Sequence, residues 1–232
     1  MSEKQSLLDV PLTRRQIEEF YSNAAPAYDE MTARYEEKPK RLALERLDRK
    51  PGEKHLEVAV GTGTSIAELT SQTGTEGVVG IDLSPAMLRL TRRRLAEAGT
   101  KAVPLLRADA RHLPFRDAAF DSLFNSYMLD LIPTADLVQV LGEFRRVLKA
   151  RGRIVLANLT EGEGQDSAFS ESWKESYRAD PARLGGCRPV LASPFLRSAG
   201  FVQVRRTYCG RGASWPTEII TARTPKRAPR HV

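Results

Sequence analysis

The stretch His55-Leu56-Glu57-Val58-Ala59-Val60-Gly61-Thr62-Gly63-Thr64-Ser65 decides the fold. An apolar, strand-like run stops there at a glycine-rich turn. The next strand-like run, Gly77-Val78-Val79-Gly80-Ile81-Asp82, ends on an acid 19 residues after Gly63. Strand, tight turn and helix in succession place the turn at the carboxyl edge of a parallel sheet, where Gly61 and Gly63 let a ligand approach the backbone closely. A second strand ending at the same edge lets the Asp82 carboxylate accept hydrogen bonds from both hydroxyls of a ribose. These features describe a nucleoside-binding α/β domain.

Two residues narrow the nucleoside. A dinucleotide fingerprint places a third glycine where this chain has Ile66, which argues against NAD. Glu57 puts a carboxylate near the carboxyl end of the first strand, where it repels a diphosphate and attracts an ammonium. A ribose with a nearby ammonium and no phosphate describes S-adenosylmethionine.

On these residues the chain resembles the class I S-adenosylmethionine-dependent methyltransferases, whose first motif reads acid, any residue, small, any residue, Gly-x-Gly. The resemblance continues in order from about Tyr21 to Ala222. Leu105-Leu106-Arg107-Ala108-Asp109-Ala110 looks like the third strand and its adenine-edge acid, which implies that Asp109 accepts from the exocyclic amine and Ala110 leaves room for the base. Leu113-Pro114-Phe115 and Phe120 to Leu129 look like the loop and fourth strand, and Glu143 to Lys149 with Arg153 to Ala157 like the next helix and strand. By the same resemblance, Thr62, Leu83 and Met87 join the cofactor set, and Asn125, Ser126 and Tyr127 lie beside the methyl group. The closest agreement in pattern is with the ubiquinone/menaquinone-biosynthesis C-methyltransferase group, strongest in the cofactor half. Leu184-Gly185-Gly186-Cys187-Arg188-Pro189-Val190 departs from that group's substrate-side pattern.

The fold expected is a doubly wound, seven-stranded, mostly parallel α/β sheet. Its last two strands, Phe201–Tyr208 and Trp215–Ala222, are joined too closely for a crossover helix and form an antiparallel hairpin. Residues 1–50 read as lid helices, 51–225 as the methyltransferase domain and 226–232 as a disordered basic tail. Thr13 can cap a helix from Arg14, and a second helical pattern from Lys40 to Leu47 stops at Pro51-Gly52. Between them, Tyr21 to Met31 resembles the lid entry of small-molecule methyltransferases. Phe169, Trp173 and Tyr177, at i, i+4 and i+8, share one helix face.

At 232 residues, with 41% hydrophobic, the chain suits one such domain. No apolar stretch approaches the ~20 residues of a membrane span, and the start lacks a signal-peptide pattern, so the expectation is a cytoplasmic protein. A net charge of +7 favours anionic surroundings, including the surface of an acidic membrane. The basic runs lack interleaved aromatics, which argues against single-stranded nucleic acid. Cys187 and Cys209 have no zinc-like spacing, and no metal is expected.

Methyl transfer from a sulfonium is an in-line displacement whose donor brings its own activation. The protein holds the acceptor's lone pair ~3 Å from the methyl carbon and excludes water. A base is needed only when the acceptor has a proton to lose. Asp130, just past the fourth strand, Tyr127 and Tyr28 are the candidates for the chemistry, and Tyr21 for the cofactor's methionine end. His112 reads as a surface-loop histidine. The resemblance implies a small apolar or lipid-like acceptor, of quinol type. Phospholipid N-methylation at a membrane surface and a non-catalytic, cofactor-binding scaffold are the alternatives.

Overall fold

The alternation of buried runs and helical stretches folds into one open sheet with helices on its faces. The structure, a computed structural model, describes residues 8–100, 103–210 and 215–226. The strands are β1 (His55–Val58), β2 (Val78–Asp82), β3 (Leu105–Arg107), β4 (Phe120–Ser126), β5 (Leu148–Leu159), β6 (Val202–Cys209) and β7 (Thr217–Arg223). They pair in the order β3-β2-β1-β4-β5-β7-β6. Strands β1 to β5 are mutually parallel, and β7 runs antiparallel to both β5 and β6. The expected sheet and terminal hairpin are therefore present. The order reverses at β1, flanked by β2 and β4, which puts a ligand crevice at the carboxyl end of β1.

The parallel centre reads as continuous apolar sequence because both its faces are covered. Leu56, Val58, Leu123 and Leu156 pack with Leu137, Val140, Leu141 and Phe144 of α5 (Thr134–Val147). On the other face, Phe124, Val155 and Ile219 pack against Ala43, Leu44 and Leu47 of α2 (Tyr28–Leu47). Helix α2 thus begins well before the Lys40 start expected from sequence. Pro39 removes one backbone donor from the helix, and its burial against the protein body offsets that cost.

Helix α1 (Arg14–Ala24) has the expected Thr13 cap, a full capping box with Gln16. Helices α1 and α2 are joined by a single 3-10 turn, Ala25–Ala27. The remaining helices are α3 (Thr64–Thr73), α4 (Pro85–Glu97), α6 (Ser167–Ala179) and α7 (Ser193–Ser198). Phe169, Trp173 and Tyr177 fall on α6, and the Tyr177 hydroxyl donates to the backbone carbonyls of Asp9 at 3.0 Å and Gly186 at 3.2 Å. Among the described residues, no helix is long and apolar enough to cross a membrane. The basic tail lies outside the described residues apart from Lys226.

Candidate active site

At the crevice, β1 runs into the turn Ala59–Gly63 before α3 begins at Thr64. The turn is bent through three left-handed residues: Ala59 (φ 58°), Gly61 (φ 56°) and Gly63 (φ 85°). A side chain at Gly63 would bring its Cβ to 2.9 Å from the Cα of Thr91, so this glycine permits the packing of the turn against α4. Ala59 keeps a Cβ where the backbone favours glycine, at a cost of about 1 kcal/mol. Ala59→Gly is accordingly expected to raise unfolding stability by about 1 kcal/mol, measured by chemical denaturation.

The turn is fixed from outside, leaving its inner face free. The Gly61 N–H donates to Asp82 Oδ2 at 2.8 Å, the Gly61 carbonyl accepts from Thr91 Oγ1 at 2.8 Å, and the Thr62 carbonyl accepts from Arg94 Nε at 2.9 Å. Asp82 Oδ1 accepts the Ser84 N–H at 2.8 Å. Ser84 in turn caps α4 by accepting from Met87 N at 3.3 Å. Each Asp82 oxygen has spent one of its acceptor directions, and a second remains for a ribose hydroxyl. Burial pushes the Asp82 carboxyl up to about 6, against the pull of the Ser84, Gly61 and Leu83 backbone.

The crevice opens into a cavity of about 130 Å³. Of the residues singled out in the sequence, Gly61, Thr62, Asp82, Leu83, Met87, Asp109, Ala110, Tyr21, Tyr28 and Tyr127 line it. Glu57, Gly63, Asn125 and Asp130 do not. Asn125 is fully buried in β4, where its amide donates to the Val58 carbonyl at 2.8 Å and ties two central strands together. Glu57 is 2% exposed, just behind the lining residues Val58 to Gly61, and its Oε2 has no hydrogen-bond partner among the described residues. Burial drives its carboxyl up to about 8, Lys40 opposes the rise and Asp82 adds to it. An orphaned buried carboxylate oxygen beside the cavity fits an arriving ammonium.

Asp109 sits at the far end, where Oδ1 accepts the Arg111 N–H at 2.9 Å and Oδ2 meets Arg14 of α1 at 3.4 Å. Burial works against its ionisation, but Arg111 and Arg14 outweigh it and hold the carboxyl below its usual range. The Arg14 contact is long and largely exposed, so it is worth well under 1 kcal/mol and is easily shared with an amine. Further clasps hold α1 and α2 against the sheet edge: Glu18 to Arg107 at 2.6 Å, Ser22 to Ser84 at 2.8 Å, and Asp29 to both Thr62 and Arg94.

Two residues of α2 not singled out in the sequence, Glu36 and Lys40, also reach the cavity. Lys40 lies 2.6 Å from Glu36 Oε2 and has its ammonium 5.6 Å from the centre of the Tyr127 ring. Glu36 Oε1 accepts the Tyr28 hydroxyl at 3.3 Å. Their i, i+4 spacing reads as an ordinary solvated helix pair. Only the docking of α2 on the sheet turns that face inward. Tyr127 is left-handed (φ 49°), and its hydroxyl shares a hydrogen bond of 2.9 Å with Thr217, so it serves as wall. Beyond it, Trp215 stacks on Tyr35 at 5.0 Å and meets Trp173 edge-on at 5.6 Å. Asp130 is fully buried, 3.4 Å from the Cys187 thiol. His112 is exposed beside Gln139, as a surface-loop histidine would be.

Residues 56–152 match the family described as "Methyltransferase domain". A demethylmenaquinone methyltransferase of Lactobacillus johnsonii is 28% identical over 173 residues, covering 72% of this chain and 69% of the relative. Its counterpart in Bacillus cereus (strain AH187) is 36% identical over 110 residues, 47% of this chain and 46% of the relative. The chain carries a methyltransferase domain and is an S-adenosylmethionine-dependent methyltransferase. Its cofactor is S-adenosyl-L-methionine. The fold agrees with the methyltransferase sequence match. The cyclase SpnF superposes with TM-score 0.74 at 17% identity, over 94% of this chain and all of that one. The phosphoethanolamine N-methyltransferase 2 of Haemonchus contortus, solved with S-adenosyl-L-methionine, gives TM-score 0.64 at 16% identity, over 82% of this chain and 53% of that one.

Proposed function

We propose that this methyltransferase C-methylates a small, hydroxylated aromatic acceptor of quinol type, delivered from an apolar environment. The reading is carried by the composition of the cavity beyond the strand ends. There Tyr21, Tyr28, Tyr127, Met128, Leu131 and Ile132 form an aromatic and aliphatic wall suited to a flat apolar ring. Similarity to the demethylmenaquinone methyltransferases supports the same class.

In this reading Asp82 holds the ribose, Asp109 and Ala110 the adenine edge, Leu83 and Met87 pack on the base, and Glu57 attracts the ammonium. Tyr21 and Lys40 face the methionine carboxylate. Bound S-adenosylmethionine supplies an activated methyl group. The chain's task is to orient the acceptor carbon in line with it and to remove the hydroxyl proton whose loss enriches that carbon with electrons. Asp130 is the base: burial, reinforced by the Glu36 charge, lifts its carboxyl to about 7 against its own backbone N–H and the Cys187 thiol. A base tuned near neutrality suits proton transfer at working pH. Tyr28 directs its hydroxyl to Glu36 and borders the acceptor, and Tyr127 shapes the wall.

A second reading, N-methylation of a phospholipid amine at an acidic membrane surface, has one specific observation in its favour. Lys40 places an ammonium between Glu36 and the face of Tyr127, so this corner accommodates a cation. The test is mass spectrometry of products formed with S-adenosylmethionine and either reduced demethylmenaquinone or phosphatidylethanolamine vesicles. Gain of one methyl by the quinol alone is expected, and gain by the amine alone would replace the first reading with the second.

A further inference from the structure

Asp130 is 0% exposed and absent from the cavity wall, so it needs an intermediary to reach an acceptor. Its neighbour in space is Cys187, whose thiol donates to Asp130 Oδ2 at 3.4 Å, while Oδ1 has no hydrogen-bond partner among the described residues. Cys187, unlike Asp130, is only partly buried. The segment holding it is pinned on several sides. Trp173 Nε1 donates to the Cys187 carbonyl at 3.0 Å, Tyr177 bonds the Gly186 carbonyl, and the Arg188 N–H donates to the Asp130 carbonyl at 3.2 Å. Gly185 (φ 60°) lets this segment meet the lid, since a Cβ there would lie 2.4 Å from the Phe20 ring of α1. The Gly-Gly-Cys-Arg segment therefore delivers a thiol to Asp130; Cys187, like Asp130, is not itself in the cavity wall, but its charge is felt by the lining tyrosines Tyr21 and Tyr28. The residues flanking Asp130, Leu129 apart, line that cavity through Met128, Leu131 and Ile132.

We propose that Cys187 and Asp130 form a proton relay for the acceptor, with the Cys187 sulfur facing the acceptor chamber and Asp130 receiving the proton behind it. This rests on the reading above that the acceptor bears a hydroxyl proton that must leave. The step balances: the acceptor O–H bond breaks as an S–H bond forms, and the original thiol proton passes to the Asp130 carboxylate. The sulfur is unchanged, the acceptor oxygen keeps the electron pair, and Asp130 ends neutral. The charged and titratable groups facing the dyad are Glu36, Tyr21 and Tyr28 from the lid, Tyr127 after β4, and Arg188 beside the thiol. Burial pushes the thiol well up, and Asp130 pushes it further by charge and hydrogen bond, with Arg188 opposing. The thiol is therefore a proton carrier here and not a resident thiolate.

Two measurements on the full chain test the relay. In the first, iodoacetamide alkylation of Cys187 is followed by peptide mapping at fixed pH. Asp130→Asn removes the neighbouring charge and is expected to speed modification about tenfold. A Cys187 that resists the reagent equally in both proteins does not face the chamber, and the relay is overturned. In the second, methyl transfer to reduced demethylmenaquinone is followed against pH. Cys187→Ala is expected to lower kcat at least tenfold and to move the acid limb to higher pH, because Asp130 loses the thiol donor. Cys187→Ser should recover most of the rate, Asp130→Asn should remove the limb, and S-adenosylhomocysteine affinity should stay within twofold. Wild-type kcat in Cys187→Ala overturns the relay and leaves the acceptor reading standing. A wild-type protein that does not methylate the quinol refutes the acceptor reading, while the alkylation arm still decides the geometry.

Discussion

Asp82→Ala is expected to weaken S-adenosylhomocysteine binding by about 1–3 kcal/mol, a loss of roughly 5- to 150-fold in affinity. The lower bound is the loss of ribose hydrogen bonds to a charged acceptor. The upper bound follows from the second duty of this carboxylate. It accepts the Gly61 and Ser84 N–H groups, and so fixes both the turn and the start of α4. Alanine orphans those donors as well as the ribose. Asp82→Asn retains one oxygen acceptor and should fall between wild type and alanine. Calorimetric titration with S-adenosylhomocysteine measures all three, and unchanged affinity in the alanine variant would remove Asp82 from the ribose site.

The second large effect concerns pH. Glu57, lifted to about 8 by burial, is mostly protonated at neutral pH in the free protein. An ammonium pairs with the carboxylate form, so binding must release that proton. A raised carboxyl stabilises the free fold fully below its ordinary pKa near 4.5 and loses that contribution as pH rises through about 8. Cofactor binding supplies the missing countercharge, so affinity climbs with pH. Between pH 6 and 7.5 the gain is about twentyfold, with about a further twofold from Asp82. Glu57→Gln should bind more weakly and flatten the profile to the Asp82 contribution. A wild-type affinity independent of pH over this window would remove the ammonium from Glu57.

The cofactor half was legible because its chemistry is local. Glycines, a strand-terminal acid and their spacing along one βαβ unit dictate where Gly61, Asp82 and Asp109 come to lie, and the structure sets all three on one cavity wall. Asn125 shows the limit of that logic. It stands at a strand end beside the cavity, yet its amide donates across to the Val58 carbonyl of β1, and that bond between strands claims the side chain. The acceptor side was less legible because it is assembled from distant segments. Lys40 and Glu36 look like a surface pair until α2 packs on the sheet, and Cys187 looks like a loop residue until the Gly185-Gly186 turn closes on Phe20. No spacing in one dimension announces that Asp130 and Cys187 meet across 57 positions.

The most direct test of this cofactor site is a crystal structure of the protein with S-adenosylhomocysteine bound. Both ribose hydroxyls are expected on the Asp82 carboxylate, the adenine amine on Asp109, the ammonium against Glu57, and the sulfur facing the chamber between Tyr127, Tyr28 and Cys187. A nucleoside whose ribose lies away from Asp82, or whose sulfur faces away from that chamber, would contradict it.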